Sequence, residues 1–412
     1  MANVKKDLVF LCQFFYPEYN SSAILPFDTA KYLADKGLQV VALCGYPKEY
    51  REKSDPIPMQ EQKDGVWIRR LKYIQVKRGR KLGRLVNYFS FTAAVLSKVF
   101  VLKKYQAVLV YSNPPILPIA ALLAHKLWKI KIIFVSYDVY PEVAYASQNL
   151  TETGLIARVM RRINHSLFQK ASAIVTLTEE MKQFLLENRP ELKEERVAVI
   201  PNWAHEKSRN AQTEYYEKFG YSPKDFIVSY FGNMGICQDM ETVIRAVELL
   251  QEHKTIRFFL VGHGCKKEQI KERTAELQNV QVLDALTGTE FEEAVSISSC
   301  GIVSLEHGVK GTCAPSKYYS YLKGGLPVLA ITEADSYLAE EIRREKIGYV
   351  IPDKKGETLS KAIQEMSLNR EQTEKMGQRA RQLYGTGYEM EKSLEKYTKL
   401  IEQVLKEERN VM

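Results

Sequence analysis

Twice along this chain, apolar runs of strand length alternate with amphipathic patterns of helix length, and that alternation limits the fold more than any single residue does. In the first series 8–12, 39–43, 107–111 and 130–136 read as strands, with helices at 23–36, 85–102 and 117–128 between them and further strands at 173–177 and 197–200. Successive strands joined by helices have to run parallel, so the series predicts an α/β fold with a doubly wound parallel sheet. The pattern stops at Pro201-Asn202-Trp203, and the polar stretch 205–224 has no apolar periodicity strong enough for a core strand. A second series then begins, with strands at 226–231, 257–261, 280–283 and 301–305 and helices at 240–251, 266–277 and 290–298. Two Rossmann-like domains are therefore expected, 1–203 and 204–388, with a hinge near 202–224 and an amphipathic helix within 389–412. Ligands of such sheets bind beyond the carboxyl ends of the strands, which puts the chemistry in the cleft between the halves.

A chain of 412 residues is long enough for two such cores, and 45% hydrophobic with 26% charged residues excludes a disordered or collagen-like protein. The six cysteines, at positions 12, 44, 237, 265, 300 and 313, form no C-x-x-C pair and no metal-ligand spacing, so they read as free thiols in a reducing compartment. Residues 1–6 lead into the first strand without a secretory leader pattern, and no apolar run reaches the ~18 residues a spanning helix needs. The expectation is a cytoplasmic protein, neither secreted nor integral.

Charge is unevenly spread. Between Gly65 and Tyr137 there is no Asp or Glu, while fourteen lysines and arginines lie in that block, leaving forty-five basic against fifty acidic residues elsewhere. The whole excess of +9 sits in one segment. Within it Lys77, Arg78, Arg80, Lys81 and Arg84 lead into the apolar, aromatic pattern around Phe89, the composition of an interfacial anchor on an anionic membrane. A core helix after a solvated basic loop would carry the same letters. No helix-turn-helix, finger or aromatic RNA-binding signature accompanies the charge, so no nucleic-acid partner is expected.

Five stretches carry candidate chemistry. Pro315, Ser316 and Lys317 suit a helix start where unpaired amides, the positive dipole end and a full charge favour phosphate; the helix stops at Gly324-Gly325 before a short apolar strand. An ordinary capped helix before a core strand accounts for the same residues. Gly232-Asn233-Met234-Gly235 follows a strand and precedes a helix, putting flexible backbone and free amides at a carboxyl end, and the glycines beside His263 permit close backbone approach to a flat ring. Asp138 and Glu142, in Ser136-Tyr137-Asp138-Val139-Tyr140-Pro141-Glu142, end another strand; Asp138 is the first acid after the acid-free block and is expected to stay ionised in a positive field. As an alternative, a strand-end Asp caps the next helix. Tyr16-Pro17-Glu18-Tyr19-Asn20-Ser21-Ser22 is a small polar loop between the first strand and its helix.

The segment 314–330 resembles the donor-site signature of family 4 glycosyltransferases, retaining enzymes of the GT-B fold that use nucleotide sugars, and especially their polysaccharide-biosynthesis branch. Asp138 to Glu142 is similar to that branch's Asp-Leu-Trp-Pro-Glu run, and Pro114-Pro115 and Ile200-Pro201-Asn202-Trp203 also look like branch signatures, with Asn202 near the hinge. The resemblance implies that the Gly232 to Gly235 turn meets the donor diphosphate and sugar, that His263 lies near the nucleotide base, that Ser21 and Ser22 face donor or acceptor, and that the last helix packs back on the first domain. It also brings out departures. Asn233 and Gln238 stand where members carry Arg and Lys on the diphosphate, and Thr312 and Ser320 where members carry two glutamates, one near the sugar hydroxyls and one on the ribose; Glu306 compensates only if its loop folds inward.

What the resemblance implies is a hexosyltransferase without metal or other cofactor. Its donor is a nucleotide sugar and its acceptor a polyprenyl-diphosphate-linked saccharide, used in capsule, exopolysaccharide or cell-wall assembly at the inner membrane face. Asp138 is the expected acceptor-side base or orienter, with Glu142 second, and Lys317, the Ser316 helix start and the turn amides neutralise the diphosphate. A nucleotide-sugar epimerase of the same fold and a noncatalytic membrane-associated subunit are the alternatives.

Overall fold

The structure, a computed structural model, describes residues 6–48, 56–76, 81–148 and 150–406. It divides into two compact units: residues 1–201 with 311–314 and 391–412, and residues 202–310 with 315–390.

In the first unit the elements run β1 (Lys6–Cys12), α1 (Ser21–Asp35), β2 (Val40–Gly45), β3 (Gln60–Lys63), β4 (Val66–Leu71), α2 (Lys81–Leu96), β5 (Tyr105–Tyr111), α3 (Pro118–Trp128), β6 (Lys131–Val135), α4 (Glu142–Ala146), α5 (Leu155–Lys170), β7 (Ala173–Thr176), α6 (Glu179–Asn188) and β8 (Val197–Val199). They form one sheet in the order β3-β4-β2-β1-β5-β6-β7-β8, parallel except for the β3 edge. β1, β2, β5 and β6 are buried nearly throughout, because helices on a parallel sheet leave no solvated face, and that is why these strands read as continuous apolar runs. Phe91 and Val95 of α2, Ala120, Ala121 and Ala124 of α3, and Leu167 and Phe168 of α5 meet Val9, Val108 and Ile132 in one core. The three alanines let α3 sit close on the sheet.

The helix expected at 85–102 is shorter and earlier. α2 ends at Leu96 and a 3-10 turn, Val99–Lys104, follows, while Val95, Val99 and Leu102 keep one buried face across the break. The strand pair β3–β4 was not foreseen, because β4 buries Val66, Ile68 and Arg70 in alternation and the arginine disguises the apolar face. Arg70 is held there by Glu61, Pro58 O and Tyr16 O.

The second unit contains α7 (Thr213–Lys218), β9 (Phe226–Asn233), α8 (Met240–Leu249), β10 (Ile256–His263), α9 (Lys267–Arg273), β11 (Val280–Leu283), α10 (Gly288–Ser296), β12 (Cys300–Ser304), α11 (Ser316–Gly324), β13 (Val328–Ile331), α12 (Tyr337–Glu345), β14 (Gly348–Val350), α13 (Gly356–Leu368) and α14 (Arg370–Leu383). Its sheet, β11-β10-β9-β12-β13-β14, is wholly parallel. The chain winds outward from β9 to β11 and then returns to β9's other side, so the topological switch lies between β9 and β12. A π-helical turn, Tyr384–Tyr388, leads to α15 (Met390–Lys406), most of which belongs to the first unit. There Ser393 Oγ donates to Pro201 O, and the buried Lys131 Nζ caps the last turn of α15 through Val404 O at 2.6 Å and Leu405 O at 3.4 Å. Lys131 and Arg70 are thus two cations of the acid-free block that do not face solvent.

Candidate functional site

The α11 start in the second unit has the geometry of an anion site at the switch point. Pro315 precedes the helix in an extended conformation and offers no side-chain cap; Tyr318 N–H donates to Pro315 O at 3.2 Å, which leaves the amides of Ser316 and Lys317 for an external acceptor, and Gly325 ends the helix in the left-handed region at φ 73°. Lys317 does not simply extend from this end. Its ammonium lies 4.4 Å from the ring centroid of Phe291 on α10, and its stem passes Gly232, where an added β-carbon would come 3.8 Å from Lys317 Cγ. Burial pushes the Lys317 ammonium below the ordinary lysine range, and Glu206 works against that shift. His263, also kept below the usual imidazole range by burial and by Lys317 and Lys267, is a neutral ring beside this cation.

Three residues from Lys317, Ser320 Oγ donates to Glu206 Oε2 at 3.2 Å. Glu206, Phe291 and Ser320 line a depression of about 310 Å³ that continues toward Lys323. Gly232 and His263 thus lie near Lys317, while Ser320, about one turn further along α11, opens onto the depression. Glu206 was not foreseen, because it comes from the polar stretch whose residues follow no period.

The glycine turn differs from expectation in its amides. Met234 N–H donates to His263 O at 2.6 Å and Gly235 N–H to Gln238 Oε1 at 3.1 Å, while Asn233 Nδ2 also donates to Gln238 Oε1 at 3.3 Å. The side chains at the two positions where cations were expected are bonded to each other across the turn, and the amides of Met234 and Gly235 are both taken. The glycines beside His263 also serve the protein itself. A β-carbon on Gly262 would meet Gly232 O at 1.8 Å and one on Gly264 would meet Met234 O at 2.3 Å, so their small size admits neighbouring backbone rather than a ring.

A cation does reach the turn from elsewhere. Lys266 Nζ, at the start of α9, donates to Gln238 O at 2.8 Å and pairs with Glu306 at 3.3 Å. Glu306 is in turn anchored through its own amide to Cys237 O. Its loop folds toward the glycine turn, but its charge is spent on Lys266. Thr312 is not in this unit. It belongs with the first, where its carbonyl accepts from Val139 N at 2.7 Å and Cys313 bridges to Asp138.

Beneath α11 lies a network the sequence did not disclose. The buried Glu341 of α12 accepts from the hydroxyls of Tyr318 at 2.6 Å, Tyr388 at 2.7 Å and Tyr337 at 3.0 Å. Tyr318 follows Lys317, so this carboxylate fixes the helix that carries the cation. Asn202 is buried here too, and its backbone bonds the Tyr319 hydroxyl.

In the first unit Ser112 Oγ accepts from the amides of Tyr137 and Asp138 at 3.1 and 3.2 Å, pinning the end of β6. Asp138 lines a depression of about 250 Å³ with Ser112, Ser136, Tyr140 and Asn164. Its carboxyl is pushed up to about 6 by burial, not held low by the surrounding cations, and so remains mostly ionised at neutral pH with a smaller margin. None of those cations pairs with it among the described residues. Glu142, in the first turn of α4, is paired with Arg189 at 2.6 Å. Ser21 and Ser22 begin α1; the preceding Asn20 forms no cap bond, and both polar atoms of its amide are buried without a partner. Lys77, Arg78 and Arg80 lie outside the described residues, Lys81 opens α2, Arg84 follows in its first turn, and Phe89 is 51% exposed. No group of three His, Cys, Asp or Glu is placed to hold a metal ion among the described residues, and no helix among them is long and apolar enough to cross a membrane.

Two family models match the chain, "Glycosyl transferase 4-like domain" over residues 27–203 and "Glycosyl transferases group 1" over residues 211–383. Over 292 residues it is 24% identical to "Probable glycosyltransferase WbjE" of Pseudomonas aeruginosa, a stretch covering 70% of this chain and 72% of that protein. Among solved structures, sucrose-phosphate synthase of Thermosynechococcus elongatus has a TM-score of 0.75 at 15% identity, covering 97% of this chain and 99% of its own. Anabaena HepE in complex with UDP-glucose has a TM-score of 0.70 at 13% identity, covering 96% of this chain and 99% of its own. At these identities the likeness is one of fold.

Proposed function

The chain belongs to the family 4 glycosyltransferases and has the GT-B fold, and from that premise we propose that it moves a sugar, with retention, from a nucleoside diphosphate sugar to a polyprenyl-diphosphate-linked saccharide. The setting proposed is capsule, exopolysaccharide or cell-wall synthesis at the anionic inner face of the membrane. The carrying observation is the uncapped start of α11 with Lys317 beside it at the β9–β12 switch. A leaving diphosphate gathers negative charge as the glycosidic bond breaks. Preorganised amides and a desolvated ammonium stabilise that charge more than they stabilise the donor ground state. Lys266 is a second cation near the turn once Glu306 yields. The complex of HepE with UDP-glucose makes a uridine nucleotide the first donor to try.

For the acceptor side, Asp138 supports the reading because a carboxyl near 6 exchanges protons close to neutrality and can orient a sugar hydroxyl. Glu142, engaged by Arg189, serves better to hold the start of α4 than to take a proton. The test is incubation with UDP-hexoses and a polyprenyl-diphosphate sugar, followed by NMR of the product anomer. Retained configuration in a lipid-linked product supports the proposal. Conversion of donor without acceptor would instead indicate an epimerase.

A further inference from the structure

Three neighbouring helices of the first unit, α2, α3 and α5, contain no Asp or Glu at all, nor does the 3-10 turn after α2. α3 packs between the other two and against that turn. Their inward faces fill one core, yet their outward faces are not the polar surface that a soluble layer presents. Phe89 on α2, Phe100 in the turn, Ile119 and Leu127 on α3, and Leu155 and Val159 on α5 are all exposed, Phe100 at 68% and Leu155 at 70%. Phe100 meets Trp128 edge to face at 5.5 Å.

The α5 stripe is the most telling part. Leu155, Arg158, Val159 and Arg162 fall at i, i+3, i+4 and i+7, so one exposed helix face alternates large apolar side chains with guanidinium groups. Its buried face, with Ala157, Met160, Ile163 and Leu167, already satisfies the core, so packing does not account for the outer apolar positions. Lys98, Lys126 and Lys129 extend the same character across the other helices. Acids near α5 include Glu152, whose carbonyl accepts from Arg161 before the helix start, and Glu191, paired with His165 at 3.2 Å near its other end.

We infer that the outer face of α2, α3 and α5 docks on an anionic lipid bilayer, with Leu155 and Val159 entering the headgroup boundary and Arg158 and Arg162 meeting lipid phosphates. This rests on the membrane-linked acceptor proposed above and adds the docking face, including a helix outside the basic block. Apolar residues with long cations and no acids suit a negatively charged interface, where the aliphatic stems bury while the charges reach headgroups. A second copy of the chain fits poorly, since a two-fold contact would set cations against the same cations.

The test is flotation of the full chain with phosphatidylcholine vesicles, with and without phosphatidylglycerol, alongside calorimetric UDP binding on the same preparations. The wild type is expected to float only with phosphatidylglycerol. Leu155→Glu with Val159→Glu should abolish flotation with UDP binding intact, and Arg158→Gln with Arg162→Gln should weaken it roughly fivefold per cation and flatten its salt dependence. Should the glutamate pair misfold, as loss of UDP binding would reveal, the glutamine pair carries the test. Wild-type indifference to anionic vesicles with UDP still bound would overturn the docking face while leaving the donor reading standing. Flotation by both variants at wild-type strength, or a concentration-dependent dimer that ignores vesicles, would overturn it equally.

Discussion

Lys317 is subject to two opposed demands: to meet a diphosphate it has to be charged, and where it sits its charge is penalised by burial. A bound anion relieves the penalty and raises its pKa, so nucleoside diphosphate should bind most tightly below the lowered pKa of the free protein. Affinity then declines as pH rises through that value toward the raised pKa of the complex. Lys317→Ala should weaken UDP roughly 10- to 100-fold, the loss of a charge-assisted bond, whereas Lys317→Arg should flatten the alkaline decline; calorimetry across pH reads both. Asp138 has the opposite arithmetic. Its pKa rises on folding to about 6, so its ionisation costs stability that is absent below the ordinary carboxylate value and complete above 6. Asp138→Asn should therefore stabilise the fold by up to about 3 kcal/mol at pH 8 and by little at pH 4, while reducing transfer. Equal thermal shifts at both pH values would contradict this. The position of Lys317 was legible because a helix start is written in neighbouring letters. The state of Asp138 was not, because charge counted along a chain says nothing of which cations turn inward, as Arg70 and Lys131 do.

Elements hold these residues in place. β9 and β10 come so close at Gly232 and Gly262 that only glycine fits at position 262, and Gly262→Ala should cost about 1–3 kcal/mol or more through overpacking. A chemical denaturation midpoint unchanged by that substitution would show that the strands can part. α11 is held from below by Glu341. Glu341→Leu strands the buried hydroxyl of Tyr318 and leaves those of Tyr337 and Tyr388 bonded to each other, and should destabilise by about 1–3 kcal/mol, with UDP affinity falling even in the folded fraction as Tyr318 and Lys317 lose their seat. Strands such as β1 and β5 were readable because full burial gives an unbroken apolar run. β4, with an arginine on its inward face, was not, nor was the turn in which Gln238 occupies the amide of Gly235, since hydrogen-bond partners chosen among near-equal amides leave no periodic trace.

At the scale of the whole molecule, two series of alternating strands and helices produced two parallel sheets, because crossover connections allow few alternatives. Four sequence positions where the family places charge hold Asn233, Gln238, Thr312 and Ser320, while in the second unit Lys266 reaches Gln238 O and Glu206 accepts from Ser320. Ligand bound there should be felt by the fold, with UDP at about 100 times its dissociation constant adding ~2.7 kcal/mol to stability. The measurement that bears most directly on the account is calorimetric titration of UDP into the wild-type protein and Lys317→Ala. Saturable one-site binding in the wild type, weakened at least tenfold by the substitution, is the predicted result. Binding of equal strength in both proteins, or none in a folded wild type, would contradict the assignment of α11 as the diphosphate site.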